Sequence, residues 1–111
     1  MANHFAELDG VFAALADPTR RGIVRQLGRG AASVGELARS APIALPSFMK
    51  HIRALEASGL VITSKTGRVR RCELNRGRFA LIDDWLSDQR RLWEERTDRL
   101  EAFVTDTEED T

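Results

Sequence analysis

The sequence has few of the residues, and none of the long apolar runs, on which several classes of protein depend. Its 111 residues include a single cysteine, Cys72, which excludes an internal disulfide and suits a reducing compartment. No apolar run approaches the roughly 18 residues of a membrane span. The first residues have neither the basic stretch nor the apolar core of a signal peptide. We therefore expect a small cytoplasmic protein with no membrane partner.

Ligands for a metal and groups for catalysis are equally scarce. The only histidines are His4 and His51, and Cys72 has no second cysteine to join it, so the ligand count argues against a bound transition metal. The chain also has no nucleophile elbow, no glycine-rich phosphate loop and no second histidine placed to pair with a serine or cysteine. We expect neither a cofactor nor an enzymatic activity.

Positive charge is concentrated in one part of a chain whose net charge is zero. Residues 46–78 hold eight Lys or Arg against two Glu, a net +6, whereas residues 79–111 hold four Arg against eleven Asp or Glu, a net −7. A local cationic excess on elements that fit a groove is what binding to a polyanion requires. Two ordinary solvated faces would give the same count, so charge alone leaves both interpretations open.

Apolar spacing and turn signals predict the elements and their order. Apolar residues at three- and four-residue steps, with their flanking caps, predict five helices, at about residues 4–16, 18–27, 34–40, 46–58 and 79–104. Two β-type runs, 60–63 and 69–74, flank Gly67 and predict a hairpin. The expected fold is mainly α with a small β-hairpin, in the order ααααββα. It occupies a single domain, residues 1–104, followed by a frayed acidic tail at residues 105–111.

Capping residues indicate where these helices begin and end. Asp17 is suited to cap the second helix, with Pro18 at its first position. Ser33 and Glu36 have the spacing of a capping box at the start of the third. Gly59 supplies the left-handed exit that often follows a helix such as the fourth.

The third and fourth helices and the hairpin together predict a winged helix-turn-helix. The fourth helix has a predicted buried stripe at Phe48, Ile52 and Leu55, and its other side would enter the major groove of double-stranded DNA, about 12 Å wide. The hairpin would form a wing against the adjacent phosphates. The candidate DNA-binding residues of the helix and the wing are Ser47, Met49, Lys50, His51, Arg53, Lys65, Arg68, Arg70 and Arg71.

Several of these residues have a second interpretation. His51 either donates to a phosphate or base, or lies half-buried and braces two helices. The wing arginines either bind phosphate or keep an edge strand from aggregating. We expect Arg20 and Arg21 to pair with carboxylates or the wing rather than to read bases. Cys72 is expected to face inward as packing rather than to sense redox state.

Four segments of the chain resemble the winged-helix repressors of the arsenical-repressor (ArsR) type: residues 15–24, 33–38, 50–61 and 67–71. The Asp-Pro-Thr-Arg-Arg run at 17–21 and the Lys-His-Ile run that opens 50–56 are the most specific parts. The resemblance covers about residues 5–104. It implies a homodimer built from the first and last helices, bound to an inverted-repeat operator near its own promoter, and repression relieved by a signal.

The resemblance also implies which residues join the two copies, and the spacing in the last helix is similar to the family's non-metal branch. The residues expected at the dimer interface are Phe5, Leu8, Phe12, Trp85, Leu92, Trp93, Leu100 and Phe103. The chain departs from the family at Ala44 and Met49, where relatives usually have Ser. We expect Met49 to contact a thymine methyl group instead. The helix at 33–40 lacks the paired cysteines of the metal-responsive relatives, and the metal-ligand positions of the last helix also hold other residues.

Two functional hypotheses follow. The first is a dimeric, sequence-specific DNA-binding transcriptional regulator, a repressor, with an effector that is either a small molecule or a protein. The second is a winged-helix protein-interaction module that binds another protein through its long helix and acidic tail, because this fold is not confined to DNA. The cationic residues on the helix and wing favour the first.

Overall fold

The computed structural model describes the backbone of residues 3–109 and the side chains of residues 5–105. In chain order the elements are α1 (Asn3–Leu15), α2 (Pro18–Leu27), β1 (Ala32–Ser33), α3 (Val34–Arg39), α4 (Leu45–Ala57), β2 (Val61–Thr66), β3 (Val69–Leu74) and α5 (Arg76–Glu109). The predicted fold class, mainly α with a small hairpin and a long last helix, is confirmed.

Three details differ from the predicted elements. The two-residue strand β1 was not predicted, because so short a run has no recognisable periodicity. Helix α4 begins at Leu45, one residue before Pro46. Helix α5 begins at Arg76 and continues through residues 105–109, most of the segment expected to be a tail. Residues 110 and 111 lie outside the described part of the chain.

The chain divides into two compact units, one ending at Ala80 and the other beginning at Leu81. The first unit contains α1 to α4, the sheet and the first residues of α5. The second contains the remainder of α5. Across the described residues, the structure contains no helix both long enough and apolar enough to cross a membrane.

The three strands form an antiparallel sheet in the order β1-β3-β2. Val61 pairs with Leu74 at one end of the hairpin, and Thr66 pairs with Val69 at the other. Gly67, in the turn, has φ +62°, in the left-handed region that glycine tolerates best. Ala32 of β1 pairs with Cys72 on the opposite edge of β3. The hairpin is thereby held at its base, and its tip extends as the wing.

The core of the first unit lies where α4 packs on α1, α2 and the sheet. Phe48, Ile52 and Leu55, the predicted stripe of α4, are almost fully buried. Each such side chain contributes about 1.5–3 kcal/mol on burial. The other buried residues of this core are Val11, Ala14, Ile23, Leu27, Ala32, Leu37, Leu60, Val61 and Cys72. Burial of one stripe fixes which face of α4 remains for other contacts.

The predicted caps are confirmed. A carboxylate oxygen of Asp17 accepts from the backbone N–H of Arg20 at 3.0 Å, and Ser33 Oγ accepts from the N–H of Glu36 at 3.1 Å. Ala44, at the N-cap of α4, offers no side-chain acceptor. Gly59 has φ +81° just after α4, the left-handed exit that was expected.

Candidate nucleic-acid interface

Helix α4 exposes three polar or cationic residues opposite its buried stripe. Residues three or four apart share a face of a helix, so burial of Phe48 and Ile52 leaves Ser47, Lys50 and Arg53 on the outer side. All three are exposed. The outer surface of α4 therefore has the size and charge of a helix that enters a major groove.

A groove of about 490 Å³ separates the start of α4 from the wing. It is lined by Ser33, Val34, Gly35, Leu45, Met49, Lys65, Arg68, Val69 and Arg70. The floor on the α4 side is apolar, since Leu45 and Met49 are four residues apart on one face. The wing supplies three cations. This combination fits a phosphodiester strand, whose sugars are less polar than its phosphates.

The wing brings like charges together across its two strands. Lys65 and Arg70 are directly opposite in the β2–β3 register, an arrangement that destabilises a free hairpin. Arg68 follows Gly67 in the turn between the strands. Neither Lys65 nor Arg70 has an ion-pair partner among the described residues. An anion beside them would remove the repulsion.

Arg71 does not join this group. Successive side chains of a strand point to opposite faces of the sheet. Arg71 therefore projects from the other face of the hairpin, where it is exposed and pairs in register with Ser64 and Ser33. Of the wing residues predicted to bind DNA, the structure brings Lys65, Arg68 and Arg70 to one groove and leaves Arg71 outside it.

Leu45 and Val69 line the groove although the sequence did not single them out. Leu45 has 58% of its surface exposed. The sequence predicts that this helix begins at Pro46, which leaves Leu45 just outside it. Leu45 is four residues before Met49, and this helical spacing could have indicated that the two side chains share a face. Val69 was assigned to the strand and not to the tip.

His51 lies on another side of α4 and faces α2. Its Nδ1 is 3.2 Å from Nη1 of Arg20 and 3.6 Å from a carboxylate oxygen of Asp17. Its side chain is 22% exposed. The backbone N–H of Arg20, which donates to Asp17, lowers the pKa of Asp17; desolvation opposes this effect, and the nearby guanidinium of Arg20 lowers the pKa further.

Arg20 and Arg21 bind the end of α1. Arg20 donates from Nε to the carbonyl of Ala14 at 2.7 Å and from Nη2 to that of Ala13 at 3.2 Å. Arg21 donates from Nη1 to the carbonyl of Leu15 at 2.9 Å. These carbonyls lack partners within the helix, and cations are favourable at that end of its dipole. The expectation that both guanidinium groups would pair with carboxylates or with the wing was wrong in this respect.

Cys72 is fully buried in β3 and packs in the core. Burial raises the pKa of its thiol. A raised pKa keeps the sulfur protonated at neutral pH, which agrees with the expected packing role. Among the residues whose side chains the structure describes, no three His, Cys, Asp or Glu side chains are grouped to hold a metal ion.

The apolar residues expected at a dimer interface are mostly exposed within this single chain. In the second unit Leu92 is 56%, Trp93 64% and Leu100 66% exposed. In the first unit Phe5 is exposed and Leu8 is half-buried. Phe12, Trp85 and Phe103 also have exposed surface. A helix with this many large apolar side chains at the surface is typical of an interaction face.

This fold and this groove define a winged helix-turn-helix domain. A family model described as a helix-turn-helix domain matches residues 15–63. HTH-type transcriptional regulator Rv2034 of Mycobacterium tuberculosis is 36% identical over 85 residues, which cover 77% of this chain and 77% of that protein. The crystal structure of the ArsR family transcriptional regulator RHA00566 is 52% identical, with a TM-score of 0.77, and the match covers 80% of this chain and 92% of that one.

The homodimeric winged helix-turn-helix DNA-binding domain Mb0332 of Mycobacterium bovis shares the fold, with a TM-score of 0.65 at 20% identity over 82% of this chain and 86% of that one. The present chain belongs to the ArsR family of transcriptional regulators. The resemblance inferred from the sequence is confirmed. Because this family consists of regulators, the protein is a helix-turn-helix regulator and not an enzyme.

Proposed function

We propose that this protein is a dimeric, cytoplasmic transcriptional repressor that binds an inverted-repeat DNA operator. Helix α4 reads base edges in the major groove with Ser47, Met49, Lys50 and Arg53. The wing holds the adjacent phosphates with Lys65, Arg68 and Arg70. An effector, either a small molecule or a protein, relieves repression.

One observation carries the proposal: in a chain with no net charge, the cationic segment 46–78 forms two neighbouring elements, α4 and the wing, that flank a single groove. The wing lines the groove with Lys65, Arg68 and Arg70. Helix α4 exposes Lys50 and Arg53 on its outer side, next to the apolar residues that line the groove. The like-charged pair Lys65 and Arg70 supports it further, because an arrangement unfavourable in the free protein becomes favourable beside a polyanion.

The direct test is footprinting of the purified protein on the DNA upstream of its own gene, followed by titrations at several salt concentrations. Lys50→Ala and Arg53→Ala should each cost about 1–3 kcal/mol on the operator and relax its sequence preference. Arg70→Ala should weaken all sequences alike and flatten the salt slope by about one unit. Arg25→Ala, an exposed cation on α2 away from the groove, is the matched control.

These measurements distinguish the two functional hypotheses. If DNA binding by Lys50→Ala, Arg53→Ala and Arg70→Ala all equalled that by Arg25→Ala, the DNA-binding assignment would be wrong. A protein without any footprint would instead favour the protein-interaction module.

The dimer is supported by the exposed apolar residues of α5 and by the family relationship. Leu86, Trp93 and Leu100 recur at seven-residue steps, the repeat of paired helices. The homodimeric neighbour of the same fold agrees with this arrangement. Two α4 helices would then meet half-sites about 34 Å apart. Trp93→Glu should shift the protein to a monomer in light scattering and abolish tight operator binding, whereas Glu94→Gln, next to it, should do neither.

A further inference from the structure

We propose that His51 is a positioning residue, through which Arg20 fixes the orientation of α4 relative to the C-terminal end of α1. This inference rests on the proposed DNA-binding function, since the orientation of α4 matters only if α4 reads a groove. Of the two roles that the sequence left open for His51, a DNA contact and a brace between helices, the inference assigns the brace.

Arg20 occupies the junction of three helices. From α2, its guanidinium donates to the carbonyls of Ala13 and Ala14 in α1 and to Nδ1 of His51 in α4. Its own backbone N–H is held by Asp17. One planar group with several fixed donors is suited to such a bridge. The last turn of α1 and the middle of α4 are therefore tied to the same side chain.

The chemistry of the bond determines the tautomer of His51. A guanidinium has donors and no acceptor, so in the 3.2 Å contact with Arg20 Nδ1 accepts and carries no proton. The Asp17 carboxylate, which would favour a proton on Nδ1, is farther from it, at 3.6 Å. The proton of the neutral ring is then on Nε2. This makes two roles of the ring chemically distinct: a brace uses Nδ1, and a DNA contact would use Nε2–H.

The bond restrains α4 on the side away from the wing. Residues 49 and 51 are about 200° apart around a helix, so Met49 faces the groove while His51 faces α2. Lys50 and Arg53 project between these sides. Rotation of α4 about its axis would move both cations relative to the wing. The apolar contacts of the buried stripe limit that rotation. The Arg20–His51 hydrogen bond limits it further, because a hydrogen bond depends on direction.

Two isosteric replacements separate the brace from a DNA contact. The amide of Asn reaches about as far as Nδ1 of His, and the amide of Gln reaches about as far as Nε2. We expect His51→Asn to bind the operator within about threefold of the wild type, and His51→Gln to bind roughly tenfold or more weakly, as loss of a hydrogen bond to a charged group implies. The reverse order, with Gln tolerated and Asn defective, would overturn the inference. So would equal binding by the two variants.

Arg20→Ala and Arg21→Ala form a matched pair. Each removes a guanidinium that caps α1, but only Arg20 also reaches His51. Arg20→Ala should lower operator affinity several-fold more than Arg21→Ala, with the salt slope of binding unchanged. A slope lowered by about one unit in Arg20→Ala would identify a phosphate contact and contradict the positioning role.

A measurement without DNA tests the link itself. Nitrogen-15 spectra of the His51 ring should show a proton on Nε2 and none on Nδ1 in the wild-type protein, and a mixture of tautomers in Arg20→Ala. A mixture already present in the wild type would refute the link. The absence of a footprint by the wild-type protein would instead refute the DNA-binding function. The two failures are therefore distinguishable.

Discussion

Replacement of Gly59 by alanine tests how the end of α4 is packed. Gly59 has φ +81°, and a Cβ built there lies 3.0 Å from Cδ and Cζ of Arg78 and closer still to its Nε. Arg78 also pairs with Glu7 of α1 at 3.2 Å. Alanine would therefore meet two penalties, a left-handed backbone and a side chain that must move.

The two penalties have different magnitudes. The left-handed conformation costs an L-residue about 1–2 kcal/mol. Displacement of Arg78 weakens a partly exposed ion pair, worth up to about 1 kcal/mol. Gly59→Ala should therefore lower the free energy of unfolding by about 1–3 kcal/mol. Gly67→Ala is the matched control, because Gly67 has φ +62° and open space around it; its cost is the backbone term of about 1–2 kcal/mol alone.

Urea unfolding at one fixed protein concentration measures these differences, since association with a second copy would make stability depend on concentration. The decisive comparison is a double-mutant cycle. In the Arg78→Ala background, the cost of Gly59→Ala should fall toward that of Gly67→Ala, whereas Gly67→Ala itself should not change. A cost of Gly59→Ala that is the same with and without Arg78 would refute the packing argument.

Three further expectations concern the core, the thiol and the cap. Leu55→Ala, at a fully buried site, should cost about 2–5 kcal/mol in urea unfolding, whereas Leu45→Ala, at an exposed site, should cost below about 1 kcal/mol; equal costs would contradict the described core. Cys72 should resist a thiol reagent at neutral pH until the protein unfolds, because burial raises the pKa of its thiol; rapid modification of the folded protein would disprove this. The pKa of Asp17 is lower in the folded protein than in the unfolded chain, where it is about 3.9. Its charge therefore stabilises the fold above about pH 3.9, and this contribution is lost as the pH falls through the pKa of the folded state. Asp17→Asn keeps a capping side chain and should reduce the fall in Tm below about pH 4. A fall in Tm equal to that of the wild type would contradict this role of Asp17.

The elements were predictable where local chemistry determines them. Asp17 and Ser33 mark helix starts through single backbone hydrogen bonds, and the stripe at Phe48, Ile52 and Leu55 follows from helical period. Both kinds of signal lie within a few residues of sequence. The same holds for the hairpin around Gly67.

The parts that sequence could not supply depend on contacts between distant residues. Arg20 and His51 are thirty-one positions apart, and no local pattern indicates that one accepts from the other. Strand β1 exists only because β3 offers it an edge. The groove likewise requires the wing to fold back beside Leu45. Net charge located the region but not which arginines share a face, and so Arg71 was grouped with Arg70.

Because Lys65 and Arg70 lie directly opposite each other, added salt should stabilise the free wing and destabilise its complex with DNA. Added salt screens their repulsion and so strengthens the unbound hairpin, while the same ions compete for the DNA phosphates. Both effects favour dissociation, and binding should therefore weaken with ionic strength more steeply than the number of phosphate contacts alone would give. The repulsion between these two side chains would therefore increase the difference in DNA affinity between low and high ionic strength.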